Sequence, residues 1–263
     1  MRTKQDLKPT PLNWKVLLTP MLLVAFLFPL YASSETARAV PSDTSPAAVS
    51  TGDVPRGTSE VERTTQDVPR VPLYDVDSAK SLQVVVNKQR PLNPVEYLPR
   101  GKVQIGYSWV AKPAADAYVL LKAAVSKAKL GTLCINSGYR SYSSQTLIHD
   151  AKVAQLGKTA GEKLAARPGY SEHQTGLAMD ISTTQLGCRI GSFGASKAAK
   201  WIAANAWQYG FVVRYPNGKT AVTGYVWEPW HLRFVGLDLA TDMKAKNFST
   251  LEEYFALPAA PKY

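Results

Sequence analysis

The sequence predicts an α+β fold, a single domain with a central antiparallel sheet flanked by helices. Apolar residues recur at helical spacing in some segments and alternate with polar residues in others. The turn sequence Pro216-Asn217-Gly218 separates two segments with strand character, which predicts a hairpin. Helices and strands do not alternate in a βαβ rhythm, so a parallel sheet is not expected.

Four helices are predicted from capping residues and apolar periodicity. They are a helix over 114–129 closed by Gly131, a helix capped by Ser141 with Leu147, Ile148, Ala151 and Ala154 on one face, a helix from Ser196 to Gly210, and a last helix opened by a capping box at 249–252.

Four segments are predicted to be strands: 133–135, 177–182, 211–215, and a partner strand that returns from the turn toward Val226 and on through 230–235. The alternation in 177–182 is typical of a half-buried strand, with Asp180 on its polar face. In a regular strand Glu228 and His231 would face opposite sides. Pro229 lies between them and predicts a bulge, which would let both side chains reach one cavity.

The N-terminus predicts export. Four basic residues precede an apolar run from Val16 to about Ala32, a pattern typical of a signal peptide or a retained membrane anchor over residues 1–34. A Ser/Thr/Pro-rich linker is predicted over 35–70, followed by the folded domain over 71–263. In an oxidising compartment Cys134 and Cys188 are expected to form a disulfide, with two buried thiols as the alternative.

The composition narrows the class of partner. The chain has 263 residues, is 45% hydrophobic and carries a formal charge of +11. No basic run with interleaved aromatic residues accompanies this charge, so no nucleic-acid partner is expected. A basic surface is attracted to an anionic cell wall as well as to a nucleic acid.

Two of the three histidines, His173 and His231, each lie near carboxylates. Two imidazoles and one carboxylate form a three-ligand zinc set that leaves one tetrahedral position for water. A turn at Gly176 could fold His173 back beside Asp180, and Glu228 could take the proton of that water. The pattern predicts a zinc hydrolase. The third histidine, His149, is expected to be a solvated or core residue outside the site.

Three motifs resemble those of the VanY-type D-alanyl-D-alanine carboxypeptidases, zinc peptidases of peptidoglycan that include L,D-carboxypeptidase relatives. They are Ser137–Ser141, Ser171–Asp180 and Glu228–Arg233, within a resemblance that runs from about Val84 to Gly236. The resemblance implies one zinc ion held by His173, Asp180 and His231, with Glu228 as catalytic base. It also implies Arg140 near the substrate, with Ser137, Gln145 and Ser171 as neighbours.

The resemblance implies an exported carboxypeptidase that removes the terminal D-alanine of a peptidoglycan stem. L,D-carboxypeptidase and endopeptidase activities share the same zinc chemistry, and a non-catalytic zinc scaffold is a further alternative. Some residues keep simpler interpretations: Arg140 could brace a helix start, and Glu228 could orient a ligand. We expect a monomer in the cell envelope, secreted, periplasmic or anchored facing outward, with membrane contact only through an uncleaved N-terminal segment.

Overall fold

The computed structural model describes residues 74–263, and the predicted α+β class is confirmed in this part of the chain. The strands are β1 (Lys102–Ile105), β2 (Ser108–Ala111), β3 (Leu133–Ser137), β4 (Ala178–Thr183), β5 (Phe211–Tyr215) and β6 (Glu228–Phe234). The helices are α1 (Lys112–Lys127), α2 (Tyr142–Leu156), α3 (Lys158–Gly161), α4 (Lys197–Asn205), α5 (Thr220–Thr223), α6 (Leu237–Ala245) and α7 (Leu251–Tyr254).

The central sheet has four strands in the order β3-β4-β6-β5, and every neighbouring pair is antiparallel. A separate two-stranded ribbon pairs β1 with β2. The main core packs α1 and α4 against the sheet through buried residues such as Leu121, Ile202 and Leu232. The inner strands β4 and β6 therefore lie at the centre of the domain.

The predicted helix starts are confirmed by side-chain caps. Ser141 Oγ accepts a hydrogen bond from the backbone of Ser144, and Ser196 Oγ accepts one from the backbone of Ala199. The α-helical part of the third helix ends at Asn205, and a 3₁₀ turn carries the chain on to Gly210.

The prediction that the apolar face of the second helix packs in the core is wrong. Leu147 is 74% exposed, and Ala151 and Ala154 are exposed as well. The side of α2 that meets the domain carries the buried Gln145 instead. A polar side chain faces inward here because the surface that it meets is a cavity rather than the core.

Three strand and cap predictions need correction. The strand predicted to be half-buried, β4, is buried on both faces, because Met179 and Ile181 pack in the main core and Asp180 on the other face borders a cavity. The strand predicted to return toward Val226 begins only at Glu228, since the helical turn α5 intervenes. The capping box lies one residue later than predicted: Thr250 Oγ1 caps the backbone of Glu253, which frees Glu252 to point inward.

Cys134 and Cys188 form the predicted disulfide. Within residues 74–263, none of the helices combines the length and apolar character needed to cross a membrane. The predicted signal or anchor over 1–34 and the linker over 35–70 lie outside the described residues and stay predictions.

Candidate active site

Three side chains meet at the middle of the sheet, and each reaches this point from a different element. His173 lies in a 3₁₀ turn, Glu172–Thr175, which precedes β4. Asp180 lies in β4, directly opposite His231 of β6. The turn ends at Gly176, whose φ of +72° is a left-handed conformation that favours glycine. The predicted turn at this glycine therefore folds His173 back beside Asp180.

The distances between these groups fit a zinc ion. His173 Nε2 lies 3.3 Å from Asp180 Oδ2, and His231 Nδ1 lies 3.2 Å from Asp180 Oδ1. One ligand atom from each residue lies within 4.8 Å of the others. Tetrahedral ligands at typical zinc bond lengths are about 3.4 Å apart. Two imidazoles and a carboxylate can therefore hold zinc with little movement, and they leave a fourth position for water.

Each histidine turns its second ring nitrogen toward an acceptor. His173 Nδ1 lies 2.7 Å from the carbonyl oxygen of Gly138, so it carries the proton and donates it. His231 Nε2 lies 3.4 Å from Glu172 Oε2. The ring nitrogens that face Asp180 are consequently Nε2 of His173 and Nδ1 of His231.

Burial and neighbouring charges separate the pKa values of the two rings. Burial, together with the positive charge of Arg140, lowers the pKa of His173 to about 4. Burial opposes charging of His231 too, but its hydrogen bonds to Asp180 and Glu172 outweigh it and raise the pKa to about 9. The two rings therefore differ in how strongly they hold a proton, although both contact Asp180.

The predicted bulge at Pro229 is present and brings Glu228 to the cluster. Tyr215 pairs with Glu228 and Val213 pairs with Leu232. Between these two pairs β6 advances by four residues, whereas β5 advances by two, so the extra residues of β6 form the bulge. Glu228 Oε2 consequently lies 3.8 Å from His231 Nδ1. Burial, with the charge of Asp180 close by, raises the pKa of Glu228 to about 8. Burial therefore favours the protonated carboxyl, and it makes the ionised form a stronger base than an exposed glutamate would be.

The structure also brings the predicted substrate residues together. Arg140 Nη2 donates to Asp180 Oδ2 at 2.8 Å, and Arg140 Nε donates to Ser137 Oγ at 2.8 Å. Gln145 Oε1 accepts from Arg140 Nη1 at 3.4 Å, and Gln145 Nε2 donates to the carbonyl of Ala166. Arg140, Gln145 and Ser171 line the same cavity as the three candidate ligands, whereas Ser137 supports Arg140 from behind.

This cavity has a volume of about 280 Å³, enough for a short peptide end. Its remaining walls include Ile148, Tyr215, Tyr225 and Trp230, and the Tyr215 ring lies 4.8 Å from the His231 ring. A larger apolar groove of about 420 Å³ runs along α4 and β5 and contains Trp207, Trp227 and Phe248. No histidine or carboxylate lines that groove, so the chemistry belongs to the smaller cavity.

His149 stays outside the cluster, as predicted. Its Nδ1 lies 3.0 Å from Asp150 Oδ1, and its Nε2 lies 3.7 Å from Glu162 Oε1.

Sequence reasoning missed a buried charge cluster below His231. It consists of Glu172, Arg214, Arg233 and Glu252, none of them more than 1% exposed. Arginines at inward-facing positions of apolar strands, such as Arg214 in β5, are the signal that could have revealed it, because a buried guanidinium requires an acid. The partner acids could not be found from spacing, since Glu252 is 38 residues from Arg214.

Comparison with known proteins relates the chain to peptidoglycan enzymes. The family model VanY, described as D-alanyl-D-alanine carboxypeptidase, matches residues 107–237. The candidate carboxypeptidase YodJ of Bacillus subtilis strain 168 is 39% identical over 194 residues, which are 70% of either chain. The chain spans 44% and 46% of the length of two enterococcal D-alanyl-D-alanine carboxypeptidases that it also matches.

Two solved structures are each similar to about two thirds of this chain. The L,D-carboxypeptidase LdcB is 40% identical with a TM-score of 0.62, over 68% of this chain and 87% of LdcB. A mutant of the D,D-pentapeptidase VanY from a VanB-type resistance cassette, in complex with Zn(II), is 32% identical with a TM-score of 0.57, over 65% of this chain and 97% of that one.

Proposed function

Because this chain belongs to the VanY family of D-alanyl-D-alanine carboxypeptidases, a family of zinc enzymes, we propose that it removes the terminal D-alanine from peptidoglycan stem peptides that end in D-Ala-D-Ala. The observation that carries the proposal is the convergence of His173, Asp180 and His231 in a cavity that also contains Glu228. A chain that only retained the zinc scaffold would have no need of a buried carboxylate beside the ligands.

The proposed zinc ligands are Nε2 of His173, a carboxylate oxygen of Asp180 and Nδ1 of His231. Zinc bound there would polarise the scissile carbonyl and lower the pKa of its water. The protein contributes the alignment of these donors. His173 is held by the Gly138 carbonyl, and Asp180 is held by Arg140.

Glu228 is proposed to accept the proton of the attacking water at Oε2 and to pass it to the leaving amine. Its position near His231 Nδ1 places it beside the proposed metal ligands, where that water would lie. Burial makes the carboxylate a stronger base than an exposed one, which suits proton transfer near neutral pH. Because Glu228 receives the proton in one step and returns it in the next, the enzyme regains its starting state.

Arg140 is proposed to hold the free carboxylate of the substrate, as an exopeptidase requires. A guanidinium binds a carboxylate through two parallel charge-assisted hydrogen bonds. Ser137 and Gln145 fix the guanidinium plane through its Nε and Nη1 atoms. Ser171 lines the same cavity and offers a hydroxyl to the peptide.

A second candidate function is L,D-carboxypeptidase activity, which removes D-alanine from a tetrapeptide stem. The similarity to LdcB favours it, because that enzyme matches with a higher TM-score and a higher identity than the D,D-pentapeptidase does. Both activities release one D-alanine and use the same zinc chemistry.

We also propose that the enzyme is an exported monomer. The basic, apolar N-terminal segment and the Cys134–Cys188 disulfide support export, since disulfides persist in oxidising compartments. A single chain supplies all three candidate ligands and Glu228, which is consistent with a monomer.

The deciding experiment offers defined pentapeptide and tetrapeptide stems to the zinc-loaded protein and follows the products by mass spectrometry. Loss of one D-alanine from the pentapeptide supports the proposal, and conversion of tetrapeptide to tripeptide supports the second candidate. Cleavage of cross-linked dimers alone would identify an endopeptidase. A zinc-loaded protein that cleaves none of these substrates would overturn the proposed activity.

A further inference from the structure

The buried cluster of Glu172, Arg214, Arg233 and Glu252 contacts the proposed zinc site at one point. Glu172 Oε2 lies 3.4 Å from His231 Nε2, on the side of the imidazole ring that faces away from Asp180. Glu172 has no exposed surface at its carboxylate and does not line the cavity. It therefore cannot touch a substrate, and its carboxylate contacts the proposed ligand set at His231.

Glu172 is held in place by two arginines that bind the same oxygen. Its Oε1 accepts from Arg214 Nε and from Arg233 Nη1, each at 2.8 Å. Two guanidinium groups at this distance keep Glu172 ionised, because protonation would leave a buried positive charge without a partner. An ionised carboxylate can only accept hydrogen bonds. The other oxygen, Oε2, is thus left as a fixed acceptor for His231.

The two arginines are themselves fixed by the surrounding chain. Arg214 binds both oxygens of Glu252 through Nη1 and Nη2, at 2.8 and 2.7 Å. Arg233 Nη2 donates to the carbonyl oxygens of Leu82 and Val84. The formal charges of the two acids and two arginines cancel. The cluster therefore holds Glu172 rigidly and adds no net charge next to His231.

We propose that Glu172 is a positioning residue that fixes the ring of His231 for zinc. The carboxylate requires a proton on His231 Nε2, which leaves the lone pair of Nδ1 free on the side of Asp180. The Gly138 carbonyl does the same for His173, where Nδ1 carries the proton. The proton position on the His173 ring is thus fixed by a backbone carbonyl, and that on the His231 ring by a buried side chain.

The geometry makes Glu172→Gln a sharp test, because the amide is nearly isosteric with the carboxylate. The two arginine donors hold the amide oxygen at the Oε1 position, which places the NH₂ group at the Oε2 position. A donor then faces His231 Nε2, so that nitrogen must accept and the proton moves to Nδ1. If the amide flips instead, both arginines lose an acceptor. Either arrangement opposes zinc binding through Nδ1.

Glu252→Gln is the matched control. It removes a carboxylate from the same buried cluster but lies one arginine away from His231. A merely structural role of the cluster predicts that both variants weaken zinc binding to a similar extent. The positioning role predicts that only Glu172→Gln does.

The experiment measures zinc affinity of the full-length chain by competition with a chromophoric chelator, at a temperature at which each variant is folded. We expect Glu172→Gln to lose about 10–100-fold in affinity, the usual effect of removing an outer partner of a ligating histidine. The affinity of Glu252→Gln should be unchanged. Equal affinities for wild-type and Glu172→Gln, or equal losses in both variants, would overturn the inference.

A second measurement covers the case in which Glu172→Gln does not fold. In the zinc-loaded wild-type protein, ¹⁵N-resolved NMR should show a slowly exchanging proton on His231 Nε2. A ring bound through Nε2, or one without that proton, would contradict the positioning role. The inference rests on the proposed ligand set, and the two fail differently: wild-type protein that binds no zinc at His231 refutes the proposed site itself.

Discussion

Asp180 and His231 lie opposite each other on the neighbouring strands β4 and β6, with Asp180 Oδ1 3.2 Å from His231 Nδ1. Ser137 of β3 pairs with Asp180 from the other side. Sheet register therefore sets two of the three candidate ligands and the hydroxyl that supports Arg140. A slip of one residue would turn every one of these side chains to the opposite face.

Glu228→Gln should lower kcat for D-alanine release by about 10²–10⁴-fold, because the amide cannot accept the proton of the attacking water. Zinc content should be unchanged, since the structure places Glu228 beside the ligands rather than among them. Glu253→Gln, at an acid outside the cavity, is the control and should retain kcat. Full turnover by Glu228→Gln would show that another group is the base.

Removal of the metal should abolish D-alanine release and lower the melting temperature. A ligand at about 100 times its Kd stabilises the folded state by about 2.7 kcal/mol, which corresponds to several degrees for a domain of this size. Added zinc should restore both properties. The same zinc-dependent shift should persist in Glu228→Gln and disappear in Asp180→Ala, as measured by calorimetry with and without chelator. A wild-type melting temperature insensitive to zinc would argue against the ligand set.

Arg140→Lys should raise KM and reduce the preference for substrates with a free carboxyl end. Lysine keeps the positive charge but cannot form two parallel hydrogen bonds with a carboxylate. We expect kcat/KM to fall about 10–100-fold for the free peptide, and much less for the C-terminal amide. Arg167→Lys, at an arginine paired with Glu162 outside the cavity, is the control. Equal losses for acid and amide would assign Arg140 a role other than carboxylate binding.

Glu252 should make the fold sensitive to acid. Burial opposes its ionisation, but Arg214 and Asn87 outweigh that effect, so its pKa lies below the ordinary value of 4.5. A depressed pKa means that the unfolded chain binds the proton more readily. The stabilisation is therefore present above about pH 4.5 and is lost as the pH falls toward the folded-state pKa.

The corresponding measurement is the free energy of unfolding by denaturant between pH 7 and pH 3. Glu252→Gln should cost about 3–5 kcal/mol at pH 7, because it leaves Arg214 short of a partner, and it should flatten the acid dependence. Asp116→Asn breaks the exposed Lys112–Asp116 pair and should cost only about 0.5 kcal/mol. Identical pH profiles for wild-type and Glu252→Gln would show that Glu252 does not carry the effect.

The sequence by itself determined the α+β class, the caps at Ser141 and Ser196, the strand over Phe211–Tyr215 and the bulge at Pro229. These features depend on local chemistry: a side chain that bonds a nearby backbone amide, a period of alternation, or a proline that cannot continue a ladder. The candidate residues His173, Asp180, His231 and Glu228 were also found from the sequence, because few residue types can hold zinc and move its protons.

Only the tertiary structure decided which faces are buried and which acids lie next to the candidate ligands. Leu147 is exposed because α2 faces the domain with Gln145 and Ile148, which line the cavity, whereas Leu147 lies outside it. Glu172 is held by hydrogen bonds from Arg214 and Arg233, which are 42 and 61 residues away along the chain. The partners of a buried charge are close in three dimensions but can be far apart along the chain, and sequence patterns show only separation along the chain.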